Sequence, residues 1–145
     1  MPSWDEVRSA APGLAEAVRA RFALRKHATM ATLRADGSPR ISGTEVEFVD
    51  GELVLGAMPE ARKAKDLQRD PRVAIHSPTV DPPEADPSDW PGEAKVSGTV
   101  REVPNEGSHR FVVDITALVH TKVEGDELVV WWWDANGGEQ VRRRR

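Results

Sequence analysis

Two Asp-Gly pairs, Asp36-Gly37 and Asp50-Gly51, place the strongest constraint on how this chain can fold. Each pair lies between segments in which apolar and polar residues alternate. Asp-Gly supplies the positive φ angles that tight hairpins need, and a period of two is typical of β-strands. The sequence therefore predicts three successive antiparallel strands over residues 28–33, 40–48 and 52–57.

Helices are predicted on either side of these three strands. Leu14, Val18 and Phe22 recur at helical spacing, which predicts an amphipathic helix over residues 12–27. A second helix is predicted over residues 59–69, because a proline suits its start and an Asp-Pro pair ends it.

The second half of the chain contains more strand signals. Strands are predicted over residues 72–77, 93–103, 111–113, 117–122 and 127–133, with a bulge at Gly98. Five prolines within residues 78–92 predict a long irregular loop. Many short strands without βαβ alternation indicate a mainly-β barrel or sandwich with flanking helices rather than a parallel sheet.

Length and charge limit the classes of function. The 145 residues suit one domain, with residues 1–11 as an N-terminal extension and 142–145 as a solvated basic tail. The net charge is −4, and it becomes −8 without the four terminal arginines. An acidic body argues against a nucleic-acid partner, which would select a basic face.

Targeting signals and cysteines are absent from the sequence. No apolar run approaches the roughly 20 residues of a membrane span, and the N-terminus has no secretory pattern. Without cysteine, neither a disulfide framework nor a thiolate metal site is expected. These features predict a cytoplasmic protein without a membrane partner.

Arg62 and Lys63 form an adjacent cationic pair in the first turn of the second predicted helix. Cations are unfavourable at a helix N-terminus, where the free N–H groups favour an anion. A bound phosphate would offset them. The alternative interpretation is a solvated helix face whose charges pair with Asp66 and Asp70.

Two further groups of residues suit a flat ligand. The second strand carries small and hydroxyl residues that would let a ring approach the backbone; this segment consists of Arg40, Ile41, Ser42, Gly43 and Thr44. In the last strand, alternation places Trp131 and Trp133 on one face and Trp132 on the other. One set belongs in the core, and a dimer interface or a ring-stacking pocket would cover the other.

No side chain stands out as a catalytic acid, base or nucleophile. The four histidines show no metal-ligand spacing, so no metal site is predicted. Nucleophile-elbow, dinucleotide-binding and phosphate-loop motifs are also absent from the sequence.

Five segments together resemble a known family. They are residues 30–33 (MATL), 36–40 (DGSPR), 50–53 (DGEL), 61–67 (ARKAKDL) and 70–74 (DPRVA). The succession resembles the pyridoxamine 5′-phosphate oxidase-like family of flavin-binding split barrels, in its small actinobacterial form. The resemblance extends over about residues 22–141. It implies a six-stranded antiparallel split β-barrel and a homodimer with cofactor sites at the subunit interface.

The resemblance also implies roles for individual residues. Arg62 and Lys63 match the family's phosphate-binding pair, while residues 40–44 and Ala57, Met58 and Pro59 match the strands that line the flavin ring. Ala61 replaces the family's usual serine before the basic pair, and Ala57 or Gly56 replaces a usual threonine. The substrate-gripping C-terminal segment of the true oxidase is not matched, so pyridoxamine phosphate oxidation is not expected.

The resulting hypothesis is an oxidoreductase that uses FMN and acts on a small organic substrate. Trp90 in the long loop, together with Trp131 and Trp133, would line the substrate pocket. The deazaflavin F420 is the alternative cofactor, with Arg19, Arg21, Arg25 and Lys26 available for its acidic tail. A non-catalytic module that stores or senses a planar ligand, and a dimeric interaction protein with an empty site, are the competing functions.

Overall fold

The computed structural model describes residues 2–145, so Met1 of the predicted N-terminal extension lies outside it. The three helices are α1 (Trp4–Ala10), α2 (Pro12–Phe22) and α3 (Arg62–Arg69), and a single 3-10 turn covers Pro87–Asp89. The eight strands are β1 (His27–Leu33), β2 (Pro39–Val49), β3 (Glu52–Ala57), β4 (Arg72–His76), β5 (Glu93–Val103), β6 (His109–Glu124), β7 (Glu127–Asp134) and β8 (Gly138–Arg144).

Six of the strands close into an antiparallel barrel. Their order is β3-β2-β1-β4-β5-β6, and β3 pairs again with β6 to complete the circle. The first three strands follow one another through the two Asp-Gly turns, with Gly37 and Gly51 at positive φ. The predicted six-stranded antiparallel barrel with flanking helices is thus confirmed. Beyond it, β7 and β8 extend from β6 as a hairpin.

The predicted bulge at Gly98 is confirmed, since the register between β5 and β6 shifts between Ser97 and Gly98. At this point the backbone of β5 approaches that of β6 so closely that an added Cβ would overlap the carbonyl oxygen of Asp114. Only glycine therefore fits here without a backbone shift.

Gly98→Ala is expected to lower the free energy of unfolding by about 1–3 kcal/mol, the usual cost of overpacking. Urea unfolding followed by circular dichroism would measure the change. The control is Gly56→Ala, because a Cβ at Gly56 would come no closer than 3.9 Å to the His109 carbonyl oxygen. Equal destabilisation by the two variants would contradict this explanation of the bulge.

Helix α2 packs across the barrel through the predicted apolar stripe. Leu14, Val18 and Phe22 are all buried. The predicted end at residue 27 is wrong, because the helix ends at Phe22 and residues 23–26 are exposed. Beyond Phe22 the stripe has no further core residue to bury, and the chain turns directly into β1.

Helix α3 begins later than predicted. Residues 58–61 form a turn in which Ala61 N–H donates to the Met58 carbonyl, and Glu60 has φ 66°. A residue in the left-handed region cannot continue a right-handed helix. The helix therefore begins at Arg62, and Pro59 lies in the preceding turn.

Residues 2–11 belong to the fold, although no element was predicted for them. Helix α1 begins with a capping box between Ser3 and Glu6. Trp4, Val7 and Ala11 are buried in the same core cluster as the barrel residues.

The C-terminal half departs from the prediction at two points. The two predicted strands over 111–113 and 117–122 are one continuous strand, β6, because its first part pairs with β3 and its last part pairs with β7. The last arginines are not a free tail, since residues 142–144 pair with β7 as part of β8. Asp134 accepts hydrogen bonds from the N–H groups of Asn136 and Gly137 and so builds a hairpin turn that was not predicted.

Candidate functional site

A cleft with a volume of about 750 Å³ lies at the edge of the barrel and is named the first cleft. This volume is within the range of about 300–1,000 Å³ typical of small-ligand sites. It lies between β2, the end of β3, the turn before α3 and the turn between β5 and β6. Its lining residues are His27, Gly43, Thr44, Glu45, Glu47, Val54, Leu55, Gly56, Ala57, Met58, Pro59, Ala61, Lys63, Asn105, Gly107, Ser108, His109 and Arg110.

Lys63 is the cation that α3 places at the first cleft. Its ammonium donates a hydrogen bond to the carbonyl oxygen of Gly43, at 2.9 Å. Among residues 2–145, no carboxylate lies within ion-pair distance of it. Burial lowers the pKa of Lys63 below its ordinary value, because the charged form loses solvation. Lys63 is thus a half-buried positive charge without a counter-ion.

The position of α3 is fixed by Asp66, whose residue is only 2% exposed. Its carboxylate accepts hydrogen bonds from Thr32 Oγ1 and Arg40 Nε, both at 2.7 Å, and from Arg69 Nη2 at 3.0 Å. Burial opposes ionisation, but these three donors more than offset it, so the pKa of Asp66 lies below its ordinary value. The helix is therefore tied to β1 and β2.

A second cleft, of about 430 Å³, lies on the other side of α3 and is strongly basic. Its lining residues are Arg34, Ala35, Asp36, Arg40, Arg62, Lys65, Asp66 and Arg69. Several of these cations have partners; Lys65, for example, is 3.0 Å from Glu60. Arg62 has no carboxylate within ion-pair distance in the described part of the chain. Since Arg62 and Lys63 are consecutive, the two clefts meet at the N-terminus of α3.

The predicted cofactor residues divide among these places. Six line the first cleft: Gly43, Thr44, Ala57, Met58, Pro59 and Lys63. Arg40 and Arg62 line the second cleft, whereas Ile41 and Ser42 line neither. The predicted pair Arg62 and Lys63 therefore points into two clefts rather than one.

The three predicted pocket tryptophans lie outside both clefts of this chain. Trp90 donates from its indole N–H to the Val80 carbonyl, within the long loop. Trp133 is buried in the core, and Trp131 packs partly against that core while it donates to Glu139. The alternation of the three residues along β7 is as predicted, with Trp131 and Trp133 on one face.

Several residues of the first cleft were not recognised in the sequence. They are His27, Glu45, Glu47, Asn105, Gly107, Ser108, His109 and Arg110. The last five lie in or just after the Asn105–Ser108 turn. They are far from β2 in sequence and reach the same cleft only because β6 pairs with β3, which no local pattern indicates. Within residues 2–145, no group of three or more acidic or histidine side chains is placed to hold a metal ion.

Comparison with known proteins assigns the family. The family model described as pyridoxamine 5′-phosphate oxidase matches residues 14–141. The chain belongs to the pyridoxamine 5′-phosphate oxidase family. No curated protein matches the sequence. The resemblance identified from residues 30–74 is thereby confirmed.

Solved structures of low sequence identity share the fold of this chain. A pyridoxamine 5′-phosphate oxidase-related FMN-binding protein from Nostoc punctiforme is 10% identical, with 93% of this chain and 96% of that chain covered and a TM-score of 0.66. PhzG from Burkholderia lata, solved with tetrahydrophenazine-1-carboxylic acid, is 10% identical, with 99% of this chain and 94% of that chain covered and a TM-score of 0.68. The heme storage protein HutZ from Vibrio cholerae is 15% identical, with 80% of this chain and 96% of that chain covered and a TM-score of 0.58.

The N-terminus of α3, where the two clefts meet, has the charge and the free N–H groups to hold an anion. The N-cap position of α3 is Ala61, which makes no side-chain hydrogen bond to the first turn, and that turn contains no acidic residue. Arg62 and Lys63 therefore add two positive charges to an uncapped helix N-terminus.

None of the helices within residues 2–145 has the length and apolar character needed to cross a bilayer.

Proposed function

We propose that this protein binds FMN in the first cleft and acts as an oxidoreductase on a small organic substrate. The observation that carries the proposal is Lys63, a half-buried ammonium at the lip of the cleft without a counter-ion. A phosphate would supply the missing negative charge, and charge-assisted hydrogen bonds of this kind are the strong ones.

The phosphate would lie at the N-terminus of α3, where Lys63 approaches it from the first cleft and Arg62 from the second. The free N–H groups of the first turn would complete the site. Arg40 is held by Asp66 and serves mainly to fix the helix that carries both cations.

The ring of the cofactor would lie along β2 and the end of β3. Gly43, Gly56 and Ala57 line this part of the cleft and leave the backbone accessible to a flat ligand. When bound, FMN supplies hydride transfer, and the protein contributes binding, orientation and exclusion of water.

A second copy of the chain would cover the cleft. On the side away from β1, the backbone edge of residues 39–45 has no strand partner among residues 2–145, because β3 pairs with β2 only from Val46 onward. Ile41 and Met58 are 75% and 77% exposed at this face, which is unusual for large apolar side chains. A homodimer that buries them accounts for both features.

The cations that the sequence offered for the acidic tail of F420 do not line either cleft. The acidic tail of F420 would use cations beyond Arg62 and Lys63, and the first predicted helix was the candidate source. In the structure α2 packs against β5, β6 and β7, and its arginines line neither cleft. Arg19 instead lies over the ring of Phe48, 5.1 Å from its centroid.

Replacement of Lys63 by alanine is the direct test. Cofactor-free protein is titrated with FMN and with F420 while cofactor fluorescence is followed. Loss of a charged hydrogen bond costs about 1.5–3 kcal/mol, so Lys63→Ala is expected to weaken FMN binding roughly 10- to 100-fold. Arg62→Ala is expected to weaken it less, because that side chain points toward the second cleft.

Lys65→Ala is the matched control, since Lys65 is on the same helix, is exposed and pairs with Glu60. It is expected to leave FMN binding nearly unchanged. Ala61→Ser introduces the hydroxyl that the family resemblance places before the basic pair. Because that hydroxyl can donate a hydrogen bond to the phosphate, it is expected to tighten FMN binding. Absence of FMN binding in the parent protein, or equal losses for Lys63→Ala and Lys65→Ala, would overturn the proposal.

A non-catalytic heme-binding function is the second candidate. The first cleft carries His27, His109 and the exposed Met58, and histidine and methionine are axial ligands of heme iron. Two proteins of the same fold are described as a heme storage protein and a heme-binding protein. Titration with hemin distinguishes the two candidates, because a Soret band that depends on His109 or His27, without FMN binding, would favour storage over redox catalysis.

A further inference from the structure

Three side chains from different elements form a hydrogen-bond network that ends at the first cleft. Gln68 on α3 donates from Nε2 to Glu102 Oε1, at 2.8 Å. The other carboxylate oxygen of Glu102, which lies on β5, is 2.7 Å from His109 Nδ1. His109 begins β6 and lines the cleft.

These hydrogen bonds determine which nitrogen of the neutral His109 ring carries the proton. An ionised carboxylate can only accept hydrogen bonds, so Nδ1 carries the proton and donates it to Glu102. The hydrogen bonds from His109 and Gln68 hold the pKa of the Glu102 carboxyl below its ordinary value, which keeps it ionised. Nε2 is left as the free nitrogen, with no hydrogen-bond partner among residues 2–145.

The plane of the ring is fixed as well. His109 stacks on Phe111, with ring centroids 6.3 Å apart and an interplanar angle of 20°. Phe111 is itself buried in the core. In the barrel closure His109 pairs with Ala57, which places it directly beside the part of β3 proposed to line the cofactor ring.

The other histidines with carboxylate partners differ from His109. His76 has both ring nitrogens engaged, with Nδ1 2.7 Å from the Ser77 carbonyl and Nε2 3.0 Å from Glu93. His76 also lies outside both clefts. His27 does line the first cleft, but its side chain is 78% exposed. Its Nε2 is 3.5 Å from Glu45 Oε1, which is too long for a strong hydrogen bond. His109 alone combines an oriented ring with a free nitrogen in the cleft of the described chain.

We propose that His109 is the proton donor of the first cleft and that Glu102, supported by Gln68, is its positioning residue. The inference rests on the proposed function and adds a substrate class, namely compounds with a conjugated C=C or C=N bond. One end of that bond would gain the hydride that reduced FMN, when bound, would supply as it is oxidised. The displaced electron pair at the other end takes a proton from Nε2 of the imidazolium form of His109. The ring returns to its neutral Nδ1–H form, and solvent protonates Nε2 again for the next turnover.

The first test uses the full chain labelled with ¹⁵N-histidine, studied by long-range ¹H–¹⁵N NMR with and without FMN. Without FMN at neutral pH, the neutral ring of His109 is expected to carry its proton on Nδ1. FMN saturation is expected to shift the Nε2 signal of His109 and to leave the signals of His76 unchanged. Glu102→Gln is expected to remove the tautomer preference of His109 while FMN binding is retained.

The second test separates binding from turnover. With the FMN-loaded, reduced protein and a conjugated enone as the probe, His109→Gln is expected to lower kcat about 100-fold, in the usual range for a general acid. Its FMN affinity is expected to stay within about threefold of the parent, and His76→Gln is the matched control. An Nε2–H tautomer, or FMN binding that depends on Lys63 but leaves His109 unshifted, would overturn this inference alone. Failure of FMN to bind would overturn the proposed function and this inference with it.

Discussion

Asp66→Ala is expected to lower the free energy of unfolding by about 3–5 kcal/mol, as removal of one partner from a buried ion pair usually does. The variant leaves Arg40 without its buried counter-charge and the buried Thr32 hydroxyl without its acceptor. It also releases α3 from β1 and β2, so FMN binding through Lys63 is expected to weaken. Urea unfolding followed by circular dichroism measures the stability, and the fluorescence titration measures the binding.

Two variants and the pH dependence make this prediction specific. Asp66→Asn keeps the shape but loses the charge, and we expect a smaller loss than for alanine. Asp70→Asn, next to the same helix, is expected to change little, because its partner Arg72 is exposed. Folding lowers the pKa of Asp66 below its ordinary 3.8, so its contribution is present above that value and is lost as pH falls through the folded-state pKa. The acid dependence of stability should therefore flatten in Asp66→Asn, and comparable losses in the Asp66 and Asp70 variants would contradict the prediction.

Trp4→Ala is expected to lower the free energy of unfolding by about 3–5 kcal/mol, the usual range for truncation of a buried tryptophan. Trp4 is 2% exposed, and its ring meets Phe48 edge-to-face with centroids 4.6 Å apart. The adjacent Asp5 N–H donates to the carbonyl of Gly51 in the second Asp-Gly turn, at 2.9 Å. Helix α1 therefore closes the core over β2 and β3, and circular dichroism during denaturation measures its contribution.

Trp4→Phe is the informative control for this site. The indole N–H of Trp4 is buried without a hydrogen-bond partner in the described residues, which is itself unfavourable. Phenylalanine keeps most of the apolar contact with Phe48 and removes that unpaired donor, so we expect a loss well below that of alanine. If deletion of residues 2–11 left the unfolding curve unchanged, α1 would have no stabilising role.

The barrel was predictable because its signals are local. The two Asp-Gly turns and the alternating segments between them depend on neighbours a few residues apart, and the bulge was indicated by the glycine within a strand pattern. The errors occur where a longer-range contact decides. Residues 4–10 are too few to be a convincing helix in isolation, and they fold because Trp4 and Val7 enter a core built by distant strands.

Part of the candidate site was predictable for a different reason. The cationic pair Arg62-Lys63 is conspicuous at a helix start, and the family resemblance assigned it to a phosphate. Consecutive helical residues point about 100° apart, so the pair divides between two clefts once α3 is docked. His109 carried no signal, because neither its partner Glu102 nor its place beside Ala57 follows from spacing along the chain.

The sequence by itself determined the antiparallel order of the first three strands, the long proline loop, the bulge and the family. These follow from backbone chemistry and short-range patterns that act in any context. Only the tertiary structure decided that β3 closes on β6, that the terminal arginines join a strand, and that Lys63 and His109 meet at one cleft. Such placements depend on side chains from remote segments burying surface and pairing hydrogen bonds together, which happens only when the barrel is complete.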